Sequence, residues 1–171
     1  RISNVEVSMV LDISGSMAGS RITNLRPAAR DFIDTVLGNS EPGKATISIV
    51  PYSAQVNLGP QLMAQFNAPR IHDYTSCIEL PDSVFNSIDL SRTQALLQNA
   101  HFDPFYDSNS VRTETNCSWY SGWATDAAAK TSNYVLPISS DAAVLKSKVN
   151  ALKEGGNTSI DLGVKWGALL L

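Results

Sequence analysis

With 171 residues, 43% of them hydrophobic and a mean hydropathy near zero, the chain can bury one sizeable core and needs no second domain. Its formal charge of −3 is interspersed with no basic run, which excludes electrostatic capture of nucleic acid or of an anionic membrane and favours proteins as partners. No apolar stretch reaches the ~18 residues that a membrane span requires, so direct membrane insertion by this segment is excluded as well.

The chain begins with a strand-like run, Val5 to Leu11, which delivers Asp12-Ile13-Ser14-Gly15-Ser16 to its carboxyl end. From Arg21 to Leu37 the residues Ile22, Leu25, Ala29, Phe32, Ile33, Val36 and Leu37 share one helical face, and Arg26, Arg30, Asp31 and Asp34 lie largely on the other. Pro27 is compatible with this helix if regular structure begins near a cap at Asn24, because the first turn has no internal partner for its amide. Gly38 ends it. Ala45 to Val50 alternates Thr46 and Ser48 with Ile47 and Ile49, a second strand closed by Pro51. Strand, helix and strand within some forty residues predict a parallel βαβ unit, whose ligand belongs beyond the carboxyl ends of the strands. The Asp-Ser-Ser cluster falls at that edge.

From about 58 to 132 the text changes. This stretch holds four of the eight prolines, both cysteines and both histidines with little periodicity, and reads as a long insertion in a single domain spanning 1–171. Structureless loops beyond ~15 residues are uncommon in compact domains, so short helices, such as one over Thr93 to Ala100, are expected to order it. Cys77 and Cys117 lie forty positions apart in no CxxC arrangement, which argues against a zinc ribbon or a redox dithiol. A disulfide in an oxidising compartment is the favoured reading; two unpaired buried thiols of a cytosolic protein are the alternative. Regular structure returns with a strand over Tyr134 to Ile138. A helix capped by Ser140 follows from Asp141 to about Glu154, burying Val144, Leu145, Val149 and Leu152. Gly155 and Gly156 stop it, and Ile160 to Leu171 begins another helix.

Asp12, Ser14 and Ser16 form a grip for a hard divalent cation. Mg2+ takes oxygen ligands in compact octahedral geometry and keeps several waters, so one carboxylate with two neutral hydroxyls binds it without quenching its charge. Mn2+ and Ca2+ accept the same donors. The bland alternative is a strand-to-helix turn capped by Ser and Asp. Other chemistries fit poorly. Gly38 to Ala45 nearly spells a phosphate-binding loop, but Ala45 stands where a Ser or Thr is required and the segment runs from helix to strand. Ser14 and Ser16 lack a G-x-S-x-G elbow, and no general base or nucleophile accompanies them, so no enzyme is expected. His72 and His101 have no metal-ligand spacing. Asp103 to Asn109 lacks the EF-hand pattern, and the aromatics Phe102, Phe105, Tyr106, Trp119, Tyr120 and Trp123 suit either an interaction surface or a small core of the insertion. Asn116-Cys117-Ser118 and Asn157-Thr158-Ser159 match the short glycosylation sequon.

The Asp-Ile-Ser-Gly-Ser run resembles the DxSxS signature of von Willebrand factor A domains, the metal-ion-dependent adhesion site. Gly155-Gly156-Asn157-Thr158 resembles that family's second loop, with Thr158 as the matching ligand. Asp12 to Met17 and Gly155 to Gly163 mark this superfamily, and within it the chain is similar to TadG-like proteins of bacterial tight-adherence (Flp) pilus systems through Ile49 to Gly59 and His101 to Tyr106. The resemblance implies a Rossmann-like α/β fold with a central, mostly parallel sheet flanked by helices. It also implies Mg2+ held by Asp12, Ser14, Ser16 and Thr158, with a coordination position open to an acidic side chain of a protein partner. The family's last ligand, an aspartate from a third loop, is expected beyond Leu171. The implied setting is the bacterial cell envelope outside the cytoplasm, in pilus assembly or surface attachment. The resemblance also implies a membrane anchor upstream, and because the chain opens on Arg1 rather than Met, any such anchor is expected to lie outside this sequence.

Overall fold

The computed structural model of the chain describes residues 4–100, 117 and 132–171. Strand β1 (Val5–Asp12) and strand β2 (Ala45–Tyr52) pair in parallel without a break, from Val5 opposite Ala45 to Asp12 opposite Tyr52. Helix α1 (Ser20–Gly38) connects them, which is the βαβ unit expected from the pattern. Strand β5 (Leu136–Ser139) joins the other side of β2, and it runs antiparallel. The sheet is therefore mixed, in the order β1-β2-β5, where the sequence led us to expect a mostly parallel one.

Period-two alternation divides the sheet between two cores. Met9, Ile47 and Ile49 pack with Ala29 and Ile33 of α1 and with Leu145 and Val149 of helix α3 (Ala142–Ala151). Val50 and Tyr52 turn the opposite way and pack with Trp166 of helix α4 (Ile160–Leu169). Glycines let α4 lie directly on this second face: a Cβ at Gly167 would collide with Cγ2 of Val10, and one at Gly163 would come 2.5 Å from Cδ1 of Tyr52. Leu58, Met63, Ile78 and Leu96 belong to the same cluster as Trp166, so residues 58–100 share a core with the sheet.

That region holds helix α2 (Gly59–Met63), a 3-10 turn (Asp82–Asn86) and a short antiparallel ribbon of β3 (Ile78–Glu79) and β4 (Leu97–Gln98). The helix expected over Thr93 to Ala100 does not form. Leu96 and Gln98 are buried while Leu97 is 68% exposed, the alternation of a strand, and the buried Gln98 amide rewards it. Its Oε1 accepts from the amides of Ile71 and His72 at 2.6 and 3.2 Å, and its Nε2 donates to the carbonyls of Thr75 and His72 at 2.7 and 3.0 Å. A disulfide joins Cys77 to Cys117, with Cα atoms 5.6 Å apart.

Several local expectations need correction. Helix α1 starts at Ser20, not near Asn24, after Gly19 at φ 79°, so Pro27 is inside the helix. The carbonyl of Thr23, which loses its donor there, belongs to an exposed residue and can take water; packing of Ile22, Ala29 and Ile33 outweighs a penalty of about 3 kcal/mol. Phe32 is 45% exposed at the flank of α1 rather than in the core. Strand β2 continues through Pro51. The amides of Val5 and Ile13 donate to Lys44 and Tyr52, so the even residues of β2 carry the ladder to β1. Pro51 faces the β5 side, where pairing covers Ile47 and Ile49 only, and its missing N–H breaks no ladder bond. Finally, α3 is capped by Asp141 rather than Ser140, its Oδ1 accepting from the amides of Ala143 and Val144 at 2.8 and 3.2 Å. The helix ends at Ala151 and leaves Val144 44% exposed.

Lys148 of α3 donates to the carbonyl of Ser132 at 2.7 Å from a site where burial lowers its pKa from 10.5 to about 8. Below about pH 8 the side chain is charged in folded and unfolded chains alike, and the cost of burying that charge is fully present. Between the two pKa values the unfolded chain holds more protons, so stability rises with pH, by at most about 3 kcal/mol. Denaturant titrations should show wild type gaining on Lys148→Met between about pH 7 and about pH 10. A difference independent of pH contradicts this.

Candidate functional site

The Asp-Ser-Ser loop forms where β1 ends. Ile13, 2% exposed, is drawn into a small core with Ile22 and Leu152, and this anchors the loop between its polar residues. Asp12 accepts the amide of Ser14 on Oδ1 at 2.8 Å, which curls the chain and leaves Oδ2 to another partner. The hydroxyls of Ser14 and Ser16 then lie 3.1 Å apart. Arg21 at the start of α1 fixes the far end of the loop, donating from Nη1 to the Ser16 carbonyl at 2.8 Å.

A second segment is zipped against this loop. The amide of Gly155 donates to the carbonyl of Ile13 and the amide of Gly15 donates to the carbonyl of Gly156, both at 2.8 Å. Gly156 has φ 80°, which favours glycine, and the approach at Gly15 is close, since a Cβ there would stand 3.2 Å from the Gly156 oxygen. The amide of Ser159 donates to the carbonyl of Ser53, just past β2, at 2.8 Å. Thr158 thus belongs to an exposed arm tied on one side to the end of β1 and on the other to the end of β2.

The donor chemistry fits a small hard cation. Neighbouring ligands on an octahedral Mg2+ with bonds of about 2.1 Å are separated by about 3.0 Å. The two serine hydroxyls have that spacing without rearrangement. Among the described residues no three His, Cys, Asp or Glu side chains converge, so hydroxyls have to complete any donor set here. Asp161, in the first turn of α4, is exposed. His72 lies in the inserted region, its Nε2 2.9 Å from the carbonyl of Asn99, as an ordinary hydrogen-bonded histidine. His101, Asp103 to Asn109, Phe102, Trp119, Tyr120, Trp123 and Asn116 lie outside the described residues.

Tyr52 went unnoticed in the sequence. It is the register partner of Asp12, its ring rests on Gly163, and its phenol pKa is raised by burial and then by the negative charge of Asp12. Only strand pairing brings it there.

No protein-family model and no curated protein matches the chain. Among solved structures it is similar to the vWF domain of the type V pili tip protein Mfa5 from Porphyromonas gingivalis. The sequence identity is 14% and the TM-score 0.48, with 99% of this chain and 33% of that chain covered. The chain spans about a third of the length of that structure's chain.

The contact between Gly163 and Tyr52 yields a test of how α4 is seated beside Asp12. Gly163→Ala forces a methyl group into the tyrosine ring, an overpacking that costs about 1–3 kcal/mol. In a Tyr52→Ala background the same substitution should cost markedly less in thermal unfolding. Equal costs in both backgrounds would refute the packing described.

Proposed function

We propose that this chain is a metal-dependent protein-binding domain of the von Willebrand A type, TadG-like, in a bacterial envelope protein acting in pilus assembly or surface attachment. Asp12, Ser14, Ser16 and Thr158 would hold Mg2+, or Mn2+ or Ca2+ in its place. A cation held there would supply a Lewis-acid position open to a partner's carboxylate. The observation that carries this reading is the Ser14–Ser16 hydroxyl pair at cis-ligand spacing beside the Asp12 carboxylate, with the Thr158 arm tied alongside. Arg21, held at the Ser16 carbonyl, adds a positive charge at the rim and favours an acidic partner. The Cys77–Cys117 disulfide supports an oxidising, extracytoplasmic setting.

Each residue has a separate task. Asp12 brings the formal charge, Ser14 contributes a buried hydroxyl and Ser16 an exposed one that a partner can approach. Ile13 keeps the loop from sliding by filling the core beneath it. With no general base or nucleophile argued for the cluster, binding is preferred to catalysis.

A metal-free envelope scaffold is the second reading, favoured by one fact: the loop already satisfies itself, since Asp12 accepts the Ser14 amide and the two hydroxyls bond each other. Calorimetric titration of Mg2+ and Mn2+ separates the two. Binding should be saturable and should weaken about 100-fold or more in Asp12→Ala, beyond the loss typical of removing a residue that merely supports a ligand. Absence of binding, or equal binding by Asp12→Ala, would leave the scaffold reading.

A further inference from the structure

The arm bearing Thr158 leaves α3 through Leu152 and Lys153, and side chains from two distant parts of the chain hold these residues. The amide of Asn133, which is 4% exposed, grips the Lys153 peptide from both ends: Nδ2 donates to its carbonyl and Oδ1 accepts its N–H, each at 2.9 Å. Arg26 of α1 donates from Nη2 to the carbonyl of Leu152 at 2.9 Å, while the Leu152 side chain is fully buried beside Ile13 and Ile22.

These bonds stand in direct competition with the helix. Were α3 to continue towards Glu154, as its sequence pattern suggests, the Lys153 amide would donate to the carbonyl of Val149, four residues back. It donates to Asn133 instead, and Leu152 leaves the helix at ψ 139°. The distinction has a geometric consequence downstream. A residue advances about 3.3 Å in extended chain and about 1.5 Å in helix, so winding residues 152–154 into α3 would retract the arm by about 5 Å. Gly155 and Gly156 would then lose Ile13 and Gly15.

We infer that Asn133 and Arg26 are positioning residues of the candidate cation site. By ending α3 at Ala151 they set the register in which the glycine pair meets the Asp12–Ser16 loop, and with it the placing of the arm that carries Thr158. The cation part of this inference rests on the function proposed above; the placement of the arm does not. Asn133 also closes the inserted region, two residues before Val135, whose amide donates to the carbonyl of Asn57 at 2.8 Å.

The test is amide hydrogen exchange by NMR in the cation-free chain, followed by Mn2+ titration, on Asn133→Ala, Asn133→Asp and Arg26→Met. Asn133→Ala and Arg26→Met should each lose about tenfold or more of the protection at Gly15 and Gly155 while the amides of Ile47 and Ile49 keep theirs. Asn133→Asp keeps the acceptor for the Lys153 amide but sets a second oxygen against the Lys153 carbonyl, so it should lose protection at the same two glycines. Unchanged protection at the two glycines, or a uniform decline that includes β2, overturns the inference; Arg26→Met decides it if Asn133→Ala does not fold. Mn2+ affinity should fall about tenfold in the same two variants. If Mn2+ binds not even the wild-type chain, the proposed function fails while exchange still decides how the arm is placed.

Discussion

The structure turns on a hydrogen-bond ladder that does not stop where its strands do. Tyr52 closes the β1–β2 pairing by accepting the amide of Ile13, and Ile13 in turn accepts Gly155. Gly15 then donates to Gly156, so three segments far apart in sequence are stitched along one line. Each bond is worth on the order of 1 kcal/mol, yet together they fix the relative height of every polar group at this edge of the sheet. Parallel pairing makes this possible, because it puts the carboxyl ends of both strands on the same side and leaves them free of tight hairpins.

Rigidity beneath the edge comes from the division of the sheet into two faces. On one side α1 and α3 bury Met9, Ile47 and Ile49; on the other, Gly163 and Gly167 allow α4 to come close enough for Trp166 to fill the space over Val50 and Tyr52. Phe66 from the inserted region meets Trp166 edge to face at 5.5 Å, which binds that region to the same core. The second face is less well satisfied. The hydroxyl of Ser48 and the indole N–H of Trp166 are buried without a hydrogen-bond partner among the described residues, at a cost of about 1–3 kcal/mol each. Lys165, also buried in α4, does find one by donating to the carbonyl of Ser87.

At the edge itself, backbone amides and carbonyls are consumed by the ladder and side-chain oxygens are left over. That division explains how a loop of five residues can be both firmly held and chemically available. Asp12 divides itself between the tasks, one oxygen on the Ser14 amide and the other open. Tyr52 is its register partner on β2, and the phenol pKa there is raised first by burial of the ring and then by the Asp12 charge.

The sequence by itself determined the order of β1, α1 and β2, the burial of alternate strand residues and the hydroxyl cluster at the strand end. Periodicity and the chemistry of neighbouring residues are local signals, and in these stretches local and tertiary preferences agree. The glycine pair was legible as a break, although not as a clamp. Tertiary structure decided the rest. Pro27 sits inside α1 because the helix gains more by burying Ile22 than it loses at one carbonyl. Residues 93–100 avoid a helix because Gln98 finds four backbone partners in the loop at 71–75. The end of α3 is set by Asn133, 20 residues away, and by Arg26, 126 residues away. Bonds between a side chain and a distant peptide leave no pattern in the chain that makes them, because neither partner's neighbours record the meeting; only the folded backbone brings donor and acceptor within reach.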